Sequence, residues 1–187
     1  MLIFLSVIVL IIAVVLIAAS FKPDSFRVQR SIVINAPPAK VYRLLEDFDA
    51  WRNWSPWEDK DPAMKRSRSG PPLGVGAAYA WEGNKAVGKG SMQIVEMQAP
   101  QRLLIKLDFI APFEAHNMAE FTLVDQGAST QLTWAMYGPS PFISTLMTTF
   151  ISMDKMVGND FQKGLERLKA LAEGAATAPY EGLSPRI

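Results

Sequence analysis

The sequence predicts an α+β fold in which an antiparallel sheet is covered by one long C-terminal helix, with a separate transmembrane helix at the N-terminus. Three observations predict it. Met1 to Ala19 contain no charged side chain and a single polar one, Ser6. Ala77 to Tyr137 read as a meander, short runs of alternating apolar and polar residues broken by turn signals. From Met153 onward, apolar residues recur at spacings of three and four.

The first element is the anchor. Nineteen residues at about 1.5 Å each span roughly 28 Å, close to the hydrocarbon thickness of a bilayer. No Lys or Arg precedes the run, whereas a cleavable signal peptide has a basic leader and a shorter apolar core. Ala18-Ala19-Ser20 nevertheless has the small residues of a cleavage site, so an exported, cleaved domain stays open as the alternative. Lys22, Arg27 and Arg30 follow closely and favour a cytoplasmic domain on a bacterial-type inner membrane. The organisation expected is therefore an anchor over residues 1–20, a linker over 21–25, one domain over 26–173 and a loose tail over 174–187.

Within the domain, Phe26, Val28, Ile32 and Ile34 share one face of a first strand. Asn35-Ala-Pro-Pro38 ends that strand and opens a helix, since proline suits the first helical turn. Val41, Leu44, Leu45 and Phe48 then fall at helical spacing. A tryptophan-rich connection carries Trp51, Trp54 and Trp57. The basic stretch from Lys60 to Ser69 suits a solvated edge strand, or the anionic headgroups of a nearby membrane. In the meander, Leu103, Ile105, Leu107 and Phe109 share one face of a strand, as do Leu132, Trp134 and Met136 of another. In the last helix Met153, Met156, Val157, Phe161, Leu165 and Leu168 make the apolar face. Phe142 to Ile151 is also apolar and either extends that helix or forms its own.

Composition excludes several functions. The net charge of +1 gives no bulk attraction for nucleic acid. No cysteine is present, which removes disulfides, a thiol nucleophile and thiolate metal sites together. His116 is the single histidine, and it is in phase with Glu114, Met118 and Glu120 on the solvent side of its strand. No phosphate loop, nucleophile elbow or metal-ligand spacing occurs, and neither a cofactor nor a metal is expected.

Four segments carry a family resemblance in their order: Ile34-Asn-Ala-Pro-Pro-Ala-Lys-Val-Tyr42, Phe48-Asp-Ala-Trp-Arg-Asn-Trp-Ser-Pro-Trp57, Trp81-Glu-Gly-Asn-Lys-Ala-Val-Gly-Lys-Gly-Ser-Met92 and the helix opening at Met153-Asp-Lys-Met156. Over residues 26–173 the chain resembles the START-like, helix-grip (SRPBCC) superfamily, closest to the bacterial polyketide cyclase/dehydrase and lipid transport group with an N-terminal membrane segment. That resemblance implies a curved sheet gripping the C-terminal helix around an apolar cavity. It does not imply one reaction, because a fold hosts many functions.

Periodicity together with the resemblance nominates the ligand-binding side chains. They are Trp81 and Glu82 at a strand end, Met92 and Ile94 on the next strand, and Ile105, Leu107 and Phe109 on the one after. Phe121, Trp134 and Met136 follow from the last two strands, and Met153, Met156, Val157 and Phe161 from the helix. Methionine adapts to irregular apolar shapes. The same residues also suit a dry core. Gly158 and Gly164 interrupt the helix, which calls for a close approach by ligand or sheet, each glycine costing about 1 kcal/mol against alanine. Glu82 would be an acid or base if it faced inward, although a strand end before a turn favours solvent. Tyr79 and His116 complete a thin set of candidates for chemistry. The favoured function is a membrane-anchored binding or transfer module for a small apolar ligand or lipid. The alternatives are a cyclase/dehydratase-type enzyme and a regulatory domain with an unused cavity.

Overall fold

The structure is a computed structural model that describes Phe4, residues 25–139 and residues 153–174. The expected anchor apart from Phe4, the linker up to Asp24, the apolar stretch Phe142–Ile151 and the tail from Ala175 lie outside the described residues. Among the described residues, no helix is long and apolar enough to cross a membrane.

Seven strands form one antiparallel sheet: β1 (Ser25–Ile34), β2 (Lys65–Ser69), β3 (Ala78–Glu82), β4 (Lys89–Gln98), β5 (Arg102–Ala111), β6 (Ala115–Asp125) and β7 (Thr130–Pro139). Their order across the sheet is β1-β7-β6-β5-β4-β3-β2. The meander is therefore continuous from β2 to β7, and β1 closes it by pairing with β7 along its full length, from Ser25 opposite Pro139 to Ile34 opposite Thr130. The basic stretch becomes edge strand β2, whose charges guard an open edge. Alternation holds on β1, where Val28 and Ile34 are buried while Arg27 and Gln29 are exposed. On β4 the register shifts between Ile94 and Glu96, a bulge of the kind that bends a strand and increases its twist.

Among the described residues three α-helices accompany the sheet, α1 (Pro38–Glu46), the short α2 (Trp57–Lys60) and α3 (Met153–Ala172), with a 3-10 turn at Ala50–Asn53 between the first two. Pro38 sits in the first turn of α1, where its missing N–H costs no helical bond. The other end of α1 is finished by the tryptophan connection. Trp51 Nε1 donates to the Leu45 carbonyl at 2.9 Å and Trp54 Nε1 to the Leu44 carbonyl at 3.1 Å. These are last-turn oxygens with no intrahelical partner, so the indoles cap the helix. Tyr42 donates to the Arg102 carbonyl at 3.1 Å and ties α1 to the start of β5.

α3 lies on the inner face alongside β1. Arg30 pairs with Asp154 at 2.7 Å, Lys169 donates to the Val33 carbonyl at 2.9 Å and Glu173 accepts from the Asn35 N–H at 2.7 Å. Its two glycines mark helix–sheet packing. A Cβ on Gly164 would come within 2.9 Å of Trp134 Cζ3 and 3.1 Å of Pro56 Cδ, and one on Gly158 would meet the Arg30 guanidinium. Burial of Phe161, Leu165 and Leu168, each 1% exposed or less, is what holds α3 down. At ~1.5–3 kcal/mol per fully buried large apolar side chain, these three outweigh the helix-propensity cost of the two glycines.

Candidate ligand-binding cavity

Between the sheet and α3 lies a cavity of about 160 Å³. Its walls come from five strands, the tryptophan connection and the helix. β3 supplies Tyr79 and Trp81, β4 Met92, β5 Leu107 and Phe109, β6 Ala119, and β7 Trp134 and Met136. Val87 comes from the β3–β4 turn, and Met64 precedes β2. Trp51, Ser55, Trp57 and Glu58 come from the connection, and Val157 and Phe161 from α3.

The void follows from residue size and register. Ala119 stands opposite Ile105 on one side and Met136 on the other, so a small side chain occupies the middle of the inner face. On β4, Gly90 makes room in a complementary way. It faces Trp81 across the β3–β4 ladder, and a Cβ there would sit 2.5 Å from the Trp81 ring. The indole can therefore lie across β4, fixed by its donation to the Val87 carbonyl at 3.0 Å. Trp134 is the hub of the remaining wall. Its ring stacks on Phe161 and on Phe121, with Trp54 and Trp57 edge-on. Among the described residues, Trp134 Nε1 is the one fully buried side-chain donor without a partner.

One wall is polar. Ser55 is 6% exposed, and among the described residues no group bonds its hydroxyl. Glu58 follows one turn later, its N–H bonded to the Ser55 carbonyl at 3.2 Å. The Glu58 carboxylate pairs with the Arg66 guanidinium, which also donates to the Met64 carbonyl at 2.6 Å. Tyr79 donates to Glu58 Oε1 at 3.4 Å. Burial, reinforced by the neighbouring Glu58 charge, pushes the Tyr79 phenol up to about 12, so it stays neutral and able to donate.

Eight of the nominated residues line this cavity: Trp81, Met92, Leu107, Phe109, Trp134, Met136, Val157 and Phe161. The side chains of Met153 and Met156 fall outside the described ones. Four other nominated residues do not line it. Glu82 points to solvent, its side chain 58% exposed and paired with Lys89 at 3.3 Å, because it ends β3 at the turn. Ile94 and Ile105 are wholly buried one step deeper than Met92 and Leu107, in solid core. Phe121 is enclosed by the rings of Trp51, Trp54 and Trp134 and does not reach the void. His116 faces solvent as its phase predicts, its Nδ1 2.7 Å from Asp108 Oδ1. The void is also smaller than the few hundred cubic ångströms typical of ligand sites, roughly 300–1,000 Å³.

A sheet gripping a C-terminal helix around an apolar chamber with one polar wall defines a helix-grip pocket protein. Residues 25–173 match the polyketide cyclase / dehydrase and lipid transport family, and the chain belongs to it. No curated protein sequence matches the chain. Solved structures share the fold. A Mesorhizobium loti protein aligns with TM-score 0.57 and 18% identity over 81% of this chain and 100% of its own. A Chromobacterium violaceum protein aligns with TM-score 0.55 and 19% identity over 81% of this chain and 99% of its own. A protein of the dynemicin biosynthetic locus aligns with TM-score 0.53 and 19% identity over 82% of this chain and 49% of its own.

Proposed function

We propose that this chain is a membrane-tethered binding or transfer module for a small apolar ligand or lipid portion, held in the cavity between the sheet and α3. The cavity itself carries the reading. An apolar void of about 150 Å³ takes up benzene or xenon, so a chamber this size suits one ring or a short acyl segment. The tether rests on the uncharged run over residues 1–19. Strand register adds support: the end of the sheet where Ser25 begins β1 also holds Trp81 and Phe109, which line the cavity, and the β5–β6 turn. Ile110 and Phe113 at that turn are 55% and 69% exposed. Apolar side chains at the anchored end suit contact with a bilayer. The linker of about five residues keeps the domain within about 20 Å of the membrane, and Lys22, Arg27 and Arg30 favour its cytoplasmic side. Native mass spectrometry of the full chain released from lipid is the test. A bound small apolar species is expected, and protein that is always empty refutes the reading.

A cyclase- or dehydratase-type activity is the second reading, favoured by the neutral Tyr79 phenol and Glu58 on the cavity wall. It predicts turnover of an apolar polyketide-like substrate that is lost in Tyr79→Phe and kept in Glu82→Gln.

A further inference from the structure

We infer that the cavity selects a neutral ligand of about one ring that carries a single hydroxyl group, received by Ser55, Glu58 and Tyr79. This rests on the cavity-binding reading above and narrows its ligand class.

Three observations carry it. First, the polar groups are confined to one wall; Ser55 and Glu58 stand one turn apart, and Tyr79 reaches the same carboxylate from β3. Second, that wall has unused hydrogen-bonding capacity. Among the described residues no group bonds the Ser55 hydroxyl, and that oxygen is not fully enclosed, so it is open to water or a ligand at the cavity wall. Glu58 Oε1 has two contacts, from Tyr79 and from Arg66 Nε, both at 3.4 Å. Good N–H···O and O–H···O bonds lie at about 2.5–3.2 Å, so an additional donor can be accepted there. Polar atoms on a cavity wall with hydrogen-bonding capacity to spare are where water or a ligand binds. Third, the charge is already balanced. Arg66 neutralises Glu58, so an ammonium gains little, while a ligand carboxylate would meet Glu58 itself. A neutral hydroxyl fits both constraints. It donates to Glu58 and accepts from Ser55 or Tyr79, and the rest of the molecule lies among Met92, Leu107 and Trp134.

Phenol and toluene test this because they match in shape and differ in one hydroxyl. Affinities are measured by calorimetry on the full chain in nanodiscs, referred to free ligand in equilibrium dialysate so that partitioning into lipid cancels. A purely apolar cavity prefers toluene, because burying an unpaired hydroxyl is unfavourable. The expected result is the reverse order, phenol tighter than toluene, with benzoate much weaker than either. Ser55→Ala and Tyr79→Phe should each weaken phenol about threefold to tenfold and leave toluene unchanged. Toluene binding tighter than phenol overturns the hydroxyl assignment while leaving the cavity reading intact. Binding of neither overturns both. Phenol preference that survives both substitutions and Glu58→Gln overturns the assignment to this wall. The wild-type comparison decides the hydroxyl preference even if a variant fails to fold.

Discussion

The rings of Trp134 on β7 and Phe161 on α3 stack with centroids 4.2 Å apart and planes 6° from parallel. This contact joins helix to sheet at the wall of the cavity. Truncating either ring to alanine should cost about 3–5 kcal/mol, through lost transfer energy and the enlarged void. Trp134→Phe should be much milder, since it keeps a ring and removes a buried N–H that has no partner. Urea unfolding midpoints at constant slope measure the difference.

The two helix glycines should respond in opposite ways to alanine. Gly164→Ala forces a methyl against a packed indole and a proline ring, and overpacking of that kind costs ~1–3 kcal/mol. Gly158→Ala meets the end of Arg30, a side chain able to swing away. The loss is an exposed ion pair worth ~0–1 kcal/mol, against ~1 kcal/mol gained in helix propensity. Thermal unfolding should show Gly164→Ala destabilised and Gly158→Ala near neutral or slightly stabilised.

Filling the void should separate binding from stability. Ala119→Leu projects into the cavity between Ile105 and Met136. It should abolish uptake of small apolar ligands and keep or raise stability, by ~0.5–2 kcal/mol where the fit is good. Native mass spectrometry and a melting curve on the same sample read both effects. Retained ligand with a filled cavity would locate binding elsewhere.

His116 offers a clean titration because it is the only histidine. Its hydrogen bond to Asp108 raises its pKa, with the Glu114 charge adding to the effect. Burial would raise the Asp108 carboxyl, but Lys106 and His116 outweigh it and hold it low. For the histidine, the stabilisation is fully present below the unfolded value of about 6.5 and is lost as pH rises through the folded value. The Asp108 contribution is present above the ordinary carboxylate range and is lost as pH falls through its lowered folded value. The ring protons should titrate above pH 6.5 by NMR, and Asp108→Asn should bring the midpoint back towards it. The exposed position makes the effect on global stability small.

Because the chain lacks cysteine, a single nitroxide can be attached at a chosen residue. A label on Phe113→Cys in nanodiscs should show oxygen accessibility typical of the lipid interface. One on Val124→Cys, at the far end of the sheet, should be water-exposed. A label on Leu10→Cys checks the anchor separately; lipid contact there with a water-exposed position 113 would refute the contact at the turn alone.

Strand phase was legible in the sequence because large apolar residues recur at every second position, Leu103, Ile105, Leu107 and Phe109 on β5 and Leu132, Trp134 and Met136 on β7, although Leu104 and Ala135 break strict alternation. The long helix was legible because its apolar spacing holds for five turns. The boundary of the void was not. Met92 and Ile94 share a face of β4, as do Leu107 and Ile105 of β5, and alternation alone cannot say which of each pair meets empty space. That depends on the aromatic rings packed opposite and on Ala119, whose small side chain is the one local hint. The polar wall was missed because Ser55 and Glu58 come from a connection without periodicity. A signal existed there: Pro56 marks a helix start, which puts Ser55 and Glu58 one turn apart, with Arg66 nearby in sequence as a counter-charge. Glu82 is a carboxylate next to a tryptophan, yet the turn that follows it in the sequence already favours solvent.

All five tryptophans of the chain sit in or against one chamber: Trp51, Trp57, Trp81 and Trp134 on its wall, and Trp54 in ring contact with two of them. Trp51, Trp54, Trp57 and Trp134 each have another indole within 6 Å to which excitation energy can pass, at 4.6, 5.6 and 5.8 Å between ring centroids. The intrinsic emission of this protein is therefore a built-in optical gauge of a single compartment, needing neither dye nor label. Occupancy by a molecule too small for most assays can be read as a change in colour or lifetime of light the chain already emits.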